Sequence, residues 1–210
     1  MASDNITEVD IAKVSKDVIL EFLELAIHSL LYARGLYPPG SFRRHKKYNV
    51  PVQICDHPDV RQYITKLLEG IAPNLFGRQI QVLSFVVLSP CRVPLERFNL
   101  EMAPAQGKTL NGDEILLRLE QSLREFLLKL SLSENMLTQL PDDCSWTVQI
   151  QTNESAALDL QKDLKVEDLN WIRAEESEVT MNTSQILPIK SLHSPLLEMQ
   201  MYVEESSNKT

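Results

Sequence analysis

Apolar residues recur at Val14, Val18, Phe22, Leu25, Ala26 and Leu30, the spacing of one face of a helix. A second set at Ile19, Leu23, Ile27 and Leu31 widens that face until polar positions shrink to a stripe near Glu21, Glu24 and His28. A helix apolar over most of its girdle is packed on more than one side, so this is a central helix. Gly35 and the run Pro38-Pro39-Gly40 end it. Phe42 to Ile54 reads as an irregular or hairpin segment. A second helix follows, with Val60, Tyr63, Ile64, Leu67 and Leu68 on its apolar side. Asp56 is its expected cap, Pro58 suits its first turn and Gly70 its C-terminal end.

The pattern then changes period. RQIQVLSFVVL is β-branched and aromatic at its centre, and after Ser89-Pro90-Cys91-Arg92 the residues Phe98, Leu100 and Met102 alternate with Arg97, Asn99 and Glu101. These are the two strands of a hairpin, one of them half-solvated. A third helix is expected over about Asp113 to Leu130, with its stripe at Ile115, Leu119, Leu123, Phe126 and Leu130. WTVQIQT and LLEMQMYVEE again alternate, the second setting Met199, Met201 and Val203 against Gln200 and Tyr202. About forty weakly patterned residues lie between them, and connections that long are usually functional. The expectation is an α+β fold, three helices on a largely antiparallel sheet, with a loosely specified C-terminal third.

Composition narrows the function. The 210 residues carry a net charge of −8 and three cysteines. Residues 151–210 hold five basic and eleven acidic residues, so most of that charge is C-terminal. An acidic chain is poorly suited to duplex binding, which needs clustered positive charge. An odd, widely spaced cysteine set fits a reducing compartment better than a disulfide framework. No run of about eighteen apolar residues suggests a membrane span. Nor is there a phosphate loop, dinucleotide fingerprint, HExxH or CxxC. Cys55 and His57 fall short of a four-ligand zinc site and read as a turn before a helix. His28, one turn from Glu24, reads as solvated or locally paired. No catalytic residue, metal or cofactor is expected. The basic run Arg43-Arg44-His45-Lys46-Lys47 reads as a solvated loop, or else as a contact for phosphate or an acidic partner. Trp171 sits in polar surroundings and needs cover, either as a pin for the C-terminal segment or as the roof of a bound peptide.

Several of these blocks resemble the HORMA domain family. Leu31-Tyr32-x-Arg34-x-x-Tyr37-Pro38 is the first, followed by KKYNVPVQ, HPDVRQYI and the ending LLEMQMYVEE. The later blocks are most similar to the branch of accessory, mitotic-arrest-deficient-like subunits of DNA polymerase zeta. The match runs from about Val14 to Glu205 and is poor at residues 70–81 and 103–112. The resemblance implies one HORMA domain over residues 13–205. Residues 13–150 would form the core and 151–205 a "safety belt" that closes over a partner's peptide, with flexible ends at 1–12 and 206–210.

It also implies a non-catalytic adaptor in translesion synthesis and the DNA damage response. A proline-containing peptide of the polymerase zeta catalytic subunit would lie against Tyr63 and Trp171. The C-terminal domain of a Y-family scaffold polymerase would bind Ile186 (usually leucine in this branch), Gln200 and Tyr202. A homodimer contact around the third helix would include Arg124 and, beside it, Arg44. An AAA-type ATPase remodeller and other belt-bound peptides are further implied partners, and the nucleus the implied location, with the cytoplasm open. The alternative within the family is a spindle-checkpoint adaptor that binds activator peptides of a ubiquitin ligase. Direct binding of nucleic acid through Arg43 to Lys47 is a third reading, from another class.

Overall fold

The computed structural model describes residues 8–75, 80–104, 112–152, 165–166, 169–181, 183–193 and 197–209. The expected flexible start at 1–12 lies outside them up to residue 7, and much of 153–168 does too. Helix α1 (Glu8–Ala33) begins inside that expected flexible segment. It closes with Gly35 at a φ of 63°, while the N–H of Leu36 bonds the carbonyl of Leu31 and that of Gly35 the carbonyl of Tyr32. This is a Schellman end, which needs the left-handed conformation that glycine adopts without strain.

Strands β1 (Phe42–Lys47) and β2 (Val50–Cys55) form a hairpin turned by Tyr48 and Asn49, both at positive φ. Such a turn matches the twist of the flanking strands but disfavours tyrosine. Tyr48 is kept there by its hydroxyl, which donates to Glu21 at 2.9 Å. Helix α2 (Pro58–Ile71) starts on Pro58 as expected. Asp56 does not cap it, because its carboxylate pairs with Arg43. Gly70 is the buried last residue but one of α2, which ends on Ile71 with Ala72 as its cap, close to where the sequence placed the end.

Strands β3 (Ile80–Leu88) and β4 (Pro94–Pro104), helix α3 (Gly112–Leu132), β5 (Ser145–Thr152), the two-residue strands β6 (Lys165–Val166) and β7 (Leu169–Asn170), the single-turn helix α4 (Glu176–Val179), β8 (Ser184–His193) and β9 (Leu197–Ser206) complete the chain. The main sheet is antiparallel, in the order β5-β3-β4-β9-β8. The period of two sorts its faces. Val148, Phe85, Phe98, Val203 and Leu187 form one row across all five strands, facing the helices. The adjacent row, Gln149, Ser84, Asn99, Tyr202 and Pro188, faces the other way. The inner rows join the apolar sides of the three long helices in one core, in which Phe22 of α1 meets Phe126 of α3 edge to face at 5.8 Å. The expected α+β architecture of three helices on an antiparallel sheet is what the chain adopts.

His28 departs from its expected solvated state. It is fully buried, and its Nδ1 accepts the backbone N–H of Cys55 at 3.3 Å. The stripe of polar positions on α1 therefore closes at its C-terminal end. Burial, aided by the Arg61 charge, lowers the His28 pKa to about 4. The unfolded chain takes up this proton near pH 6.5 and the folded one does not, so stability falls as pH drops through that window. About 2 kcal/mol should be lost between pH 7 and pH 5 from this residue, and about 3 in all. Urea midpoints of wild type and His28→Gln at the two pH values check it, since the variant should lose this part of the slope.

Candidate partner-peptide site

Among the described residues strand β5 pairs with β3 on one side only, and no strand pairs with its other edge. Such an edge offers a row of N–H and C=O groups to an incoming strand. At its inner end lies a cleft of about 280 Å³ lined by Tyr37, Asp59, Val60, Tyr63 and Trp146. The aromatic rings hold each other in place. Trp146 stacks on Phe85 at 5.4 Å, takes Tyr63 edge-on at 5.3 Å and donates its indole N–H to the Tyr37 hydroxyl at 3.1 Å. Burial raises the Tyr63 pKa, with the Tyr37 phenol adding to it, so its hydroxyl stays protonated.

The described residues between β5 and β8 lie on both faces of the sheet. β6 and β7 lie against α2, on the helix side of the sheet. Trp171, directly after β7, is half-buried against the core, and its indole N–H has no partner among the described residues. A few residues on, the chain is on the opposite face. There the Glu178 carbonyl accepts from the Gln149 side chain of β5 at 3.1 Å. The Arg97 guanidinium of β4 donates to the carbonyls of Glu178 at 3.5 Å and Val179 at 2.5 Å. Arg92, in the β3–β4 turn, pairs with the Glu178 carboxylate at 2.5 Å. Between β7 and Glu178 the chain thus goes from the α2 side of the sheet to its outer face beside Gln149, and we call this segment the strap.

The hairpin β8–β9 then closes on β4. Ile186, Gln200 and Tyr202 share its outer face, as the alternation predicts: Ile186 opposes Glu204, and Gln200 and Tyr202 oppose Glu101 and Asn99. Ile186 is 63% exposed, a large apolar side chain left in water. The Tyr202 hydroxyl donates to Glu101 at 2.9 Å, and burial together with that bond pushes its pKa up to about 12. It remains a neutral hydroxyl on a face otherwise rich in carboxylates. Arg124 on α3 and Arg44 on β1 are both exposed, and α3 packs against β2, the partner strand of β1. Leu117, Leu128 and Leu132 leave α3 with exposed apolar positions near Arg124.

The end expected to be flexible is tied down. Lys209 is nearly buried and pairs with Glu205 at 2.6 Å and with Glu96 of β4, while Arg34 at the end of α1 pairs with Glu96 at 2.6 Å. A lysine held between two carboxylates gives the last residues a fixed path that their polar sequence does not announce.

Tyr63 and Trp171 thus belong to neighbouring parts of one region, and Ile186, Gln200 and Tyr202 to one surface. Sequence reasoning missed Tyr37 and Trp146 in the cleft. Both carried a signal: Tyr37 lies in the Leu31 to Pro38 block, and Trp146 falls on the inner phase of the β5 alternation. Arg97, Gln149 and Glu178 carried none, since their contacts depend on where the strap crosses.

The sequence matches the HORMA domain family over residues 15–182. It is 38% identical over 202 residues to a mitotic spindle assembly checkpoint protein MAD2B of Rattus norvegicus, covering 96% of each chain. It is 30% identical to a DNA polymerase zeta processivity subunit of Arabidopsis thaliana, covering 90% of this chain and 85% of that one. Among solved structures, a chain of a mitotic checkpoint complex superposes with a TM-score of 0.74 at 21% identity, over 92% of this chain and 99% of that one. HTP-2 of C. elegans, solved with a HIM-3 closure motif, gives 0.69 at 10% identity over 93% and 91%. At such identities the structures speak for the fold alone, and it is the same fold. The chain belongs to the HORMA domain family.

Proposed function

We propose that this chain is a non-catalytic adaptor that captures a proline-containing peptide of the DNA polymerase zeta catalytic subunit beneath its strap and bridges it to a Y-family scaffold polymerase. One observation carries the reading: β5 has an edge unpaired among the described residues, an aromatic cleft lies at its start, and the strap runs from α2 on one face of the sheet to Gln149 on the other. A strand added there gains backbone hydrogen bonds, and its alternate side chains face Trp146 and Tyr63. Proline suits an aromatic wall because its ring is apolar and loses little conformational freedom on binding. Enclosure makes release wait for the strap to open, so affinity is held in a slow koff. The name of the plant relative, a DNA polymerase zeta processivity subunit, supports the polymerase assignment; a place in DNA damage tolerance, in the nucleus, is part of the same proposal.

Ile186, Gln200 and Tyr202 form the second contact, for the C-terminal domain of the scaffold polymerase. Tethering both polymerases raises the effective concentration of one near the other to roughly millimolar. Arg124 and Arg44 belong to a pairing surface for a second HORMA protomer, and an AAA-type ATPase would open the strap. Calorimetry with a peptide from the polymerase zeta catalytic subunit tests the first contact, and no heat of binding at tens of micromolar rejects it. Tyr202→Ala should spare that peptide and weaken the scaffold domain about tenfold or more, the loss of an interface anchor. Equal loss of both would trace the defect to the hairpin itself.

A second reading keeps the site and changes the partner. The rat relative is named for the spindle checkpoint, and a checkpoint adaptor would enclose activator peptides of a ubiquitin ligase in the same place. Competition between the two peptides for the immobilised chain separates them.

A further inference from the structure

The turn between β3 and β4 reads Ser89-Pro90-Cys91-Arg92, a hydroxyl followed at once by proline and three residues later by a cation. Proline at the second position and an Arg92 N–H to Ser89 carbonyl bond of 2.9 Å make it a tight β-turn, which fixes Ser89 and Arg92 side by side. Pro90, Cys91, Arg92 and Val93 are exposed, and Ser89 is half-exposed. The Ser89 hydroxyl oxygen accepts the Val93 N–H at 3.1 Å. Arg92 is the residue of this turn that reaches the strap: its side chain, 73% exposed, pairs with the 17% exposed carboxylate of Glu178. The same Glu178 gives its carbonyl to Gln149 and Arg97. Glu178 therefore carries the strap's ion pair and shares its backbone anchorage with Val179.

We propose that Ser89 is a phosphoacceptor for a proline-directed serine/threonine kinase, and that its phosphate loosens the strap by taking Arg92 from Glu178. Ser89 Oγ forms the new bond to the γ-phosphorus of ATP. The bond from that phosphorus to the β–γ bridging oxygen breaks, ADP leaves with this oxygen, and the hydroxyl proton passes to the kinase's base. A kinase site that selects proline recognises a residue with no N–H to satisfy, and an acidic subsite recognises the cation three residues on. Once made, the group carries −1.5 to −2 charges and three acceptor oxygens. Arg92 prefers it to a carboxylate because both take the guanidinium fork in two bonds but the phosphate carries more charge and is held in the same turn. Glu178, largely withdrawn from water, is then left without its partner and beside a dianion. The exposed pair alone is worth little, so the repulsion supplies much of the effect.

The inference rests on residues 175–180 being the closing segment of the strap, and not on which peptide is captured. Its test therefore uses the full chain with no peptide. The chain is treated with a purified proline-directed kinase and Mg-ATP, the modified residue is mapped by mass spectrometry, and hydrogen exchange is compared with and without the modification. Phosphate on Ser89 is expected, absent in Ser89→Ala and much reduced in Pro90→Ala. The amides of Glu178 and Thr180, which bond the carbonyls of Glu175 and Glu176, should then exchange roughly three- to tenfold faster, with β3 and β4 unchanged. In Glu178→Gln, which folds with no charge for the phosphate to repel, that acceleration should largely vanish. No incorporation at Ser89 in the folded chain overturns the site. Incorporation with unaltered exchange at 175–180 overturns the mechanism. Either failure leaves the peptide-capture reading standing, and a failure of peptide capture leaves this readout intact.

Discussion

Replacing Glu96 by alanine is expected to lower the stability of the chain by about 3–5 kcal/mol, the cost of breaking a buried ion pair from one side. Glu96 is 0% exposed and begins a cluster drawn from four distant parts of the sequence. Its oxygens accept from Arg34 Nε at 2.8 Å and Nη2 at 2.6 Å, and Lys209 completes its partners. Glu205 accepts from Lys209 at 2.6 Å and from the backbone and hydroxyl of Thr138 at 2.7 Å each. Two carboxylates balance two cations. Without Glu96 a guanidinium and an ammonium remain nearly buried with one carboxylate between them. Burial acts to raise the Glu205 pKa, but the bonds from Lys209 and Thr138 outweigh it and hold the carboxyl below its usual range. That contribution is present above the unfolded carboxylate pKa and disappears as pH falls through the lowered one, the same direction as His28. Urea unfolding of Glu96→Ala near pH 7 measures the loss. A change under about 1 kcal/mol would mean the cluster is wet. Because the cluster joins α1 and β4 to β9 and the residues after it, it also holds the β8–β9 hairpin in place.

Trp171→Ala should weaken capture of the polymerase peptide by more than ~2 kcal/mol, about thirtyfold, the scale of an interface hot spot. The indole follows β7, lies half-buried against the core and has a buried N–H with no acceptor among the described residues. An unmet donor costs about 1–3 kcal/mol, which a carbonyl of an enclosed peptide would relieve. Trp171→Phe keeps most of the cover and removes the donor, so it should fall between wild type and alanine. Calorimetry on variants whose circular dichroism matches wild type makes the comparison. Unchanged affinity in Trp171→Ala would take the residue out of the site.

The helices were legible because each satisfies its own periodicity: the α1 stripe is buried from Phe22 to Leu30 and the α3 stripe from Leu119 to Leu130, while Val14 at the start of α1 is exposed, and Pro58 starts α2 as its fixed φ allows. The alternation of β4 and β9 also gave the shared face of Gln200 and Tyr202. Where prediction failed, a distant partner decided the outcome. His28 lies on a polar stripe, yet the Cys55 N–H meets it in the core. Lys209 sits in a polar tail, and only the folded positions of Glu96 and Glu205 make it structural. The Arg97 bond to Val179 spans 82 positions, a separation at which no local pattern exists. The site was half readable for the same reason: aromatic residues announce themselves, and a free strand edge does so only once the order of the sheet is known.

If peptide capture is strand addition, the foreign strand lies along β5 inside the strap. Amide hydrogen exchange across Ser145–Thr152, with and without a saturating proline-containing peptide from the polymerase zeta catalytic subunit, tests it most directly. The β5 amides facing the unpaired edge are expected to slow by at least tenfold while those bonded to β3 hardly change. Tight binding of the peptide with no added protection along β5 would contradict it.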